Sequence, residues 1–163
     1  MSFLSRLFPR RQEEPVEPAV PVEQPTTKAT THKVAGVSFH QEELRAMGYK
    51  NPNYTLTKKE LLQLWPDGVT VYELDFFPQK AELVPEPDNP EDPRAIKVLI
   101  DGVHVGYIKS GSCAHIHRLI RENRIEKIEP EIIGGKYKDV YEYVDKGETT
   151  IGVRLDITER LPV

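Results

Sequence analysis

The sequence predicts a mainly β domain with α additions: a small barrel or strongly curved sheet, one main helix and an inserted helical segment. Three observations carry this. From residue 33 onward the chain holds about seven short β-patterned runs separated by turn residues. Two of these runs, "AIKVLI" and "VHVGYI", are joined by Asp101-Gly102, a strong two-residue hairpin signal. The best helical stretch is "SCAHIHRLIREN", with Ile116, Leu119 and Ile120 giving its buried stripe.

In chain order, residues 1–32 differ from the rest. They hold Pro9, Pro15, Pro18, Pro21 and Pro25 and no glycine, and "QEEPVEPAVPVEQPTTKATT" has no apolar period. This composition predicts an extended, disordered tail. At its tip, "MSFLSRLFPRR" sets Phe3, Leu4, Leu7 and Phe8 on one face of a short helix beside Arg6, Arg10 and Arg11. Two readings stand there: a docking peptide for a partner groove or anionic surface, or a frayed start, since two turns hold no helix alone in water. The tip is no signal peptide: Ser5 and Arg6 break its apolar stretch.

The domain is expected over 33–163, with a helical insertion at 40–66. "HKVAGVSF" reads as a strand and "QEELRAM" as a helical turn ended by Gly48. "TKKELLQLW" is a cleaner helix, with Thr57 and Glu60 as a capping box and Pro66 as its stop. "VTVYELDFF" and "KAELVP" read as strands, followed by the two hairpin strands. Ser112 is positioned to cap the main helix. "RIEKIEPEII" follows as a strand with Pro130 marking an edge or bulge, and Gly134-Gly135 as a turn. "KYKDVYEYV" and "TTIGVRLDITE" then flank a turn at 145–147.

Composition narrows the function. The formal net charge is −4, whereas a general coater of nucleic acid is strongly basic, because phosphate contacts supply its affinity. Any nucleic-acid contact is therefore expected at a small local site. No run approaches the roughly 18 apolar residues of a membrane span. The single cysteine, Cys113, forms no internal disulfide and fits a reducing cytoplasm. Cys113 and His117 share a helix face, but two ligands fall short of a structural zinc site, so no metal or other cofactor is expected. Neither G-x-x-x-x-G-K-[ST] nor G-x-S-x-G occurs. The expectation is a binding module without catalysis of its own.

The most unusual stretch is "PDNPEDPRA", Pro87 to Ala95. Proline fixes φ and restricts the residue before it, and Asn and Asp side chains fold back onto nearby amides. The result is a stiff, shaped loop. It either reverses the chain and nothing more, or it preorganises Asn89 and Asp92, with Arg94, Lys97 and Lys109 close enough in sequence to offer charge to a phosphate.

"DNPEDPRAIKV", then "DGVHVGYIKS", then the helix "AHIHRLI" resembles the HIRAN domain family. The shared elements are an N-P-x-D-x-x-A-[IV]-x-V core, a hairpin and a V-G-[YH]-[IL] strand; "KVAGVSF" resembles the family's first strand. The resemblance implies a small OB-like or SH3-like β-barrel. In eukaryotic members, fused to helicase-like DNA-repair remodellers, the domain captures the 3′-hydroxyl end of single-stranded DNA; stand-alone bacterial and phage members look similar. Carried over, Asp92 meets the 3′-hydroxyl and Asn89 shapes the loop. Tyr107 stands at the aromatic or His position of the V-G-x-I strand, and Lys109 and Ser110 where the family meets phosphate. His32 and Lys33 occupy the places of a DNA-contacting Arg and Tyr, and Glu91 replaces an aromatic that stacks on the terminal base.

Two aromatic groups invite further readings. Tyr49, Tyr54 and Trp65 in the insertion either cover the barrel mouth and stack on a base or form a satellite core. Tyr137, Tyr141 and Tyr143 share parity, as a stacking platform or as the buried half of a strand. The expected partner is a single-stranded DNA end, in DNA repair, replication or phage DNA metabolism, with a protein partner possible through the N-terminal tip. A protein-interaction adaptor on the same fold is the alternative, favoured by the negative charge and Glu91. A metal-dependent nuclease using the Asp-rich loop ranks below both.

Overall fold

A computed structural model of the chain describes residues 26–162. The N-terminal tip and most of the tail, residues 1–25, lie outside the described residues. The remainder of the tail does not. β1 runs from Thr27 to Ala35, so the domain begins before residue 33. Residues 27–33 pair with the last strand, in the register Thr27 to Arg160 and Lys33 to Arg154. The run "TKATTH" looks like linker because it is polar. Threonine is nevertheless β-branched, and residues 27–33, none of them fully buried, need no apolar alternation.

β1 ends where Gly36 takes a positive φ of 76°. A 3-10 turn at Val37–His40 and helix α1 (Gln41–Ala46) follow, so "GVSF" is not strand. The insertion continues through β2 (Tyr49–Lys50), a 3-10 turn at Pro52–Thr55 and α2 (Lys58–Leu64). The capping box expected at α2 is present: Glu60 Oε2 accepts from the Thr57 amide at 2.7 Å, and Thr57 accepts from the Glu60 amide. The next expected strand is split into β3 (Val69–Tyr72) and β4 (Leu74–Asp75). β5 (Ala81–Pro85), β6 (Ile96–Ile100), β7 (Val103–Ile108) and α3 (Ser110–Arg121) stand close to their expected places. Helix α3 starts two residues ahead of Ser112, with Lys109 at its N-cap and no side-chain cap.

The two remaining strands are long: β8 (Ile125–Val140) and β9 (Val144–Arg160). Gly134-Gly135 is not a turn. It is a register shift inside β8, where a Cβ on Gly134 would meet the Thr150 carbonyl oxygen at 2.5 Å. The true turn is Tyr141–Tyr143, with Val140 opposite Val144. Gly147 belongs to β9, and its missing side chain leaves room for the Tyr137 ring lying across it.

Seven strands form one antiparallel sheet in the order β3-β8-β9-β1-β7-β6-β5, with β2 and β4 as a separate pair. The α+β architecture is the one expected. The sheet curls, bringing β5 against β8 without pairing to it, so the barrel is not closed. Pro130 sits on the half of β8 that pairs only with β9, where its missing N–H faces a free edge. The concave side holds the main core, including Val98, Ile100, Val105, Leu155 and Ile157, capped by Cys113, Ile116 and Leu119 of α3. A second cluster gathers Leu61, Val71 and Val140 with Tyr54 and Leu56. The α2 half of the insertion thus packs as a satellite core, while α1 joins the main core through Leu44. No helix among the described residues is long and apolar enough to cross a membrane.

Candidate nucleic-acid interface

The proline-rich loop between β5 and β6 is held by its own side chains. Asn89 Oδ1 accepts from the amides of Glu91 at 3.0 Å and Asp92 at 3.2 Å. Asp92 Oδ1 accepts from the Arg94 amide at 2.9 Å. Backbone bonds from Glu86 to Ala95 (2.9 Å) and from Ala95 to Asp92 (3.0 Å) close the base. Helix α3 pins the far side, where His117 Nε2 lies 2.9 Å from the Arg94 carbonyl oxygen. The Asx and proline pattern read from the sequence thus produces a loop closed by its own hydrogen bonds.

This loop forms one wall of a cleft of about 450 Å³ lined by Asn89, Glu91, Asp92, Tyr107, Ser110 and Cys113, with Pro90, Ala95 and Ile108. That volume falls within the ~300–1,000 Å³ usual for small-ligand sites. Four expected site residues, Asn89, Asp92, Tyr107 and Ser110, therefore converge. Asp92 Oδ2 makes no hydrogen bond among the described residues, and its side chain is 34% exposed. One carboxylate oxygen holds the loop; the other is free to accept. Across the cleft, Ser110 opens α3, a helix of 12 residues with no acid in its first turn. Its free amides and dipole favour an anion, and exposed Lys109 sits at the N-cap.

The other expected residues are placed differently. Arg94 lies beside Asp92, Nε to Oδ1 at 3.5 Å, and is not in the cleft wall. Lys97 pairs across the sheet with Tyr107 and flanks it. His32 and Lys33 do not line the cleft. His32 is turned toward Thr30 and His115, with burial and the His115 charge lowering its pKa. Lys33 borders a separate depression with Tyr72, Gly134 and Arg154. Adjacent strand residues point to opposite faces, so this pair cannot serve one contact surface here. Tyr141 and Tyr143 lie in the hairpin turn, and Tyr137 packs on Tyr72 at 6.1 Å, so the three tyrosines form no platform on one strand.

Several features of the site were not anticipated. Cys113 forms part of the cleft floor and is buried. Its thiol lies 3.6 Å from the Ile108 carbonyl oxygen, and burial, reinforced by Asp92, pushes its pKa up, which keeps it protonated. Behind Tyr107 stands His104, with ring centroids 5.0 Å apart, edge to face, and His40 of the insertion stacks on His104 at 4.4 Å. Strict alternation would put His104 and Tyr107 on opposite faces. A bulge in β7 prevents this: Leu99 pairs with His104 and Val98 with Gly106, which skips Val105. Glu86 lies beneath, with one carboxylate oxygen buried and unpartnered. Burial, a hydrogen bond to Glu86 and the charges of Glu86 and Glu91 raise the Tyr107 phenol pKa. The V-G-Y spelling was the only sequence hint of this arrangement.

The HIRAN domain family model matches residues 71–133, from β3 through the first half of β8. That stretch is similar to the HIRAN domain family. Comparison with curated proteins and with solved structures returns no match. The HIRAN segment contributes the whole cleft; β1, α1, α2 and β9 lie outside it. HIRAN domains are generally DNA-binding modules, and the cleft in the matched segment brings a carboxylate acceptor, an aromatic ring and a helix N-terminus together.

Proposed function

We propose that this HIRAN-like domain binds the 3′-terminal nucleotide of single-stranded DNA in the Asp92 cleft. The observation that carries the reading is the division of Asp92: Oδ1 is committed to the Arg94 amide, while Oδ2 is left as an acceptor in a cleft that also presents Ser110 at the start of α3. A terminal hydroxyl donates to that oxygen. The last phosphate sits at the α3 amides with Lys109 beside it, and Tyr107 supplies an aromatic face. Glu91 lines the same cleft. It repels phosphate there, which favours the terminal residue over the middle of a strand. The module acts by binding alone, without catalysis, in a setting such as DNA repair, replication or phage DNA metabolism.

The test is fluorescence anisotropy of the full chain with short labelled strands ending in a 3′-hydroxyl or a 3′-phosphate. Asp92→Asn keeps an oxygen for the Arg94 amide but removes the charge. It is expected to abolish the preference for the 3′-hydroxyl, a loss of about 10-fold or more, since a hydrogen bond to a charged group contributes ~1.5–3 kcal/mol. Equal binding of both ends by the unaltered chain overturns the reading. Glu91 and the exposed Phe39 (85%), Tyr49 and Phe77 (64% each) favour one alternative, a protein-interaction adaptor on the same fold. It is left standing if no strand binds even at low salt.

A further inference from the structure

Far along the sheet from the Asp92 cleft, on the satellite lobe, three lysines gather at a second cleft. Lys58, Lys138 and Lys146 line it with Leu56, Thr57, Leu61, Val140 and Val144. Lys138 stands directly opposite Lys146 in the β8–β9 ladder. Like charges facing each other across a sheet are destabilising, and no carboxylate lines this cleft. Three of the neighbouring acids, Asp139, Asp145 and Glu60, are turned elsewhere. Asp139 and Asp145 pair with each other one residue along, on the opposite face of the hairpin, and Asp139 accepts from Thr70. Glu60 caps the Thr57 amide and hydroxyl at 2.7 and 2.8 Å.

Among the described residues, the lysines have backbone neighbours but no ion-pair partner. Lys58 Nζ donates to the Glu142 carbonyl oxygen. Lys138 Nζ donates to the Tyr54 carbonyl oxygen and lies over the Tyr54 ring, 4.7 Å from its centroid. These contacts orient both ammonium groups without neutralising them. Lys146 is exposed and has no hydrogen-bond or ion-pair partner among the described residues. In a chain of net charge −4, a face that opposes two cations and adds a third above an apolar floor is built against its own stability. Next to it, Tyr143 at the hairpin tip is 71% exposed and adjoins Val144 of the cleft wall.

We infer that the Lys58–Lys138–Lys146 cleft is a second anion site, and that it takes a backbone phosphate of single-stranded nucleic acid with Tyr143 stacking on the adjoining base. The complementarity of a three-cation cleft to phosphate and the exposed ring beside it select this occupant. Unlike the Asp92 cleft, this site has no acceptor aimed at a terminal hydroxyl, so it reads the interior of a strand. It does not depend on end recognition.

The experiment uses the full chain and a labelled oligothymidylate of about 15 nucleotides, long enough to exceed a single binding patch, blocked by a 3′-phosphate. The unaltered chain, Lys146→Gln, Lys58→Gln/Lys146→Gln and Asp92→Asn are compared across a salt series and by thermal melting. The double variant is expected to lower the slope of log K against log salt by up to about 0.7, since the cleft takes one phosphate and each phosphate contact on a single strand contributes ~0.7. Lys146→Gln is expected to leave melting unchanged or raise it, because it relieves the facing-lysine repulsion, while weakening binding. Asp92→Asn should not alter binding of the blocked strand. The inference is overturned if the unaltered chain ignores the blocked strand at low salt, or if the double variant keeps its affinity and slope. It is also overturned if polyglutamate competes as well as oligothymidylate, which would give the site to an acidic peptide. Blocked and free ends binding equally, with the lysine variants weakened, would defeat end recognition and leave this site standing.

Discussion

Asn89 and Asp92 show how few atoms separate shape from binding in a short loop. Asn89 uses its carbonyl oxygen on two amides, and Asp92 one oxygen on a third. Asn89→Ala strands the Glu91 and Asp92 amides. It is expected to cost about 1 kcal/mol, the worth of an ordinary hydrogen bond, read as a lower urea midpoint. Asp92→Asn should leave that midpoint nearly unchanged. Two histidines make stability depend on pH. The pKa of His104 is lowered by burial and then by His40, and that of His32 by burial and then by His115. Both therefore bind protons less readily folded than unfolded, so the unfolded chain gains protons first as pH falls through about 6.5. Stability is expected to fall from neutral pH downward across that window until the lowered folded values are passed. His104→Gln should flatten the trend when urea midpoints are compared between about pH 7.5 and 5.

At the scale of elements, the β7 bulge is the decisive device. It brings His104 and Tyr107 to one face, and it rests on Gly106, whose φ is 152°. A Cβ there would meet the Ala35 carbonyl oxygen at 2.3 Å and Val34 Cγ1 at 2.8 Å. Both the dihedral and the space exclude a side chain, and the obstruction is backbone of β1, which cannot step aside. Gly106→Ala is expected to destabilise by more than about 2 kcal/mol, as measured by chemical denaturation, and to lower DNA affinity by displacing Tyr107. Helix α2 is the contrasting case. Its capping box was legible as Thr57 and Glu60 in sequence, because both partners lie within one turn and need no tertiary contact.

At the scale of the molecule, the sheet is completed from its two ends. β1 bridges the halves: residues 27–33 pair with β9, then Val34 and Ala35 with β7. A chain starting at residue 33 is therefore expected to melt well below one starting at 26, by about 5–10 °C, given ~2–4 °C per kcal/mol in a domain of this size. Coincident melting curves would contradict this role for β1. Glu159, 4% exposed, ties the last strand to the end of α3, accepting from Arg124 at 3.1 Å and facing His115 at 3.4 Å.

The sequence by itself determined what is local: the hairpin at Asp101-Gly102, the capping box, the stiff loop, and the Asn89–Asp92–Tyr107–Ser110 part of the cleft that the HIRAN spelling carries. Turn chemistry and short-range hydrogen bonds act within a few residues, so spacing alone exposes them. Tertiary structure decided the rest. Polar residues 27–32 became strand because β9 offers them a ladder. Gly134-Gly135 stayed within β8, at a register shift, because β9 offers it a ladder on either side. His32 and Lys33 stand outside the cleft because their stretch of β1 pairs with β9. Lys58 joined Lys138 and Lys146 because the insertion packs on the hairpin. Each of these depends on a partner far along the chain, and a linear pattern contains no term for the neighbour that folding supplies.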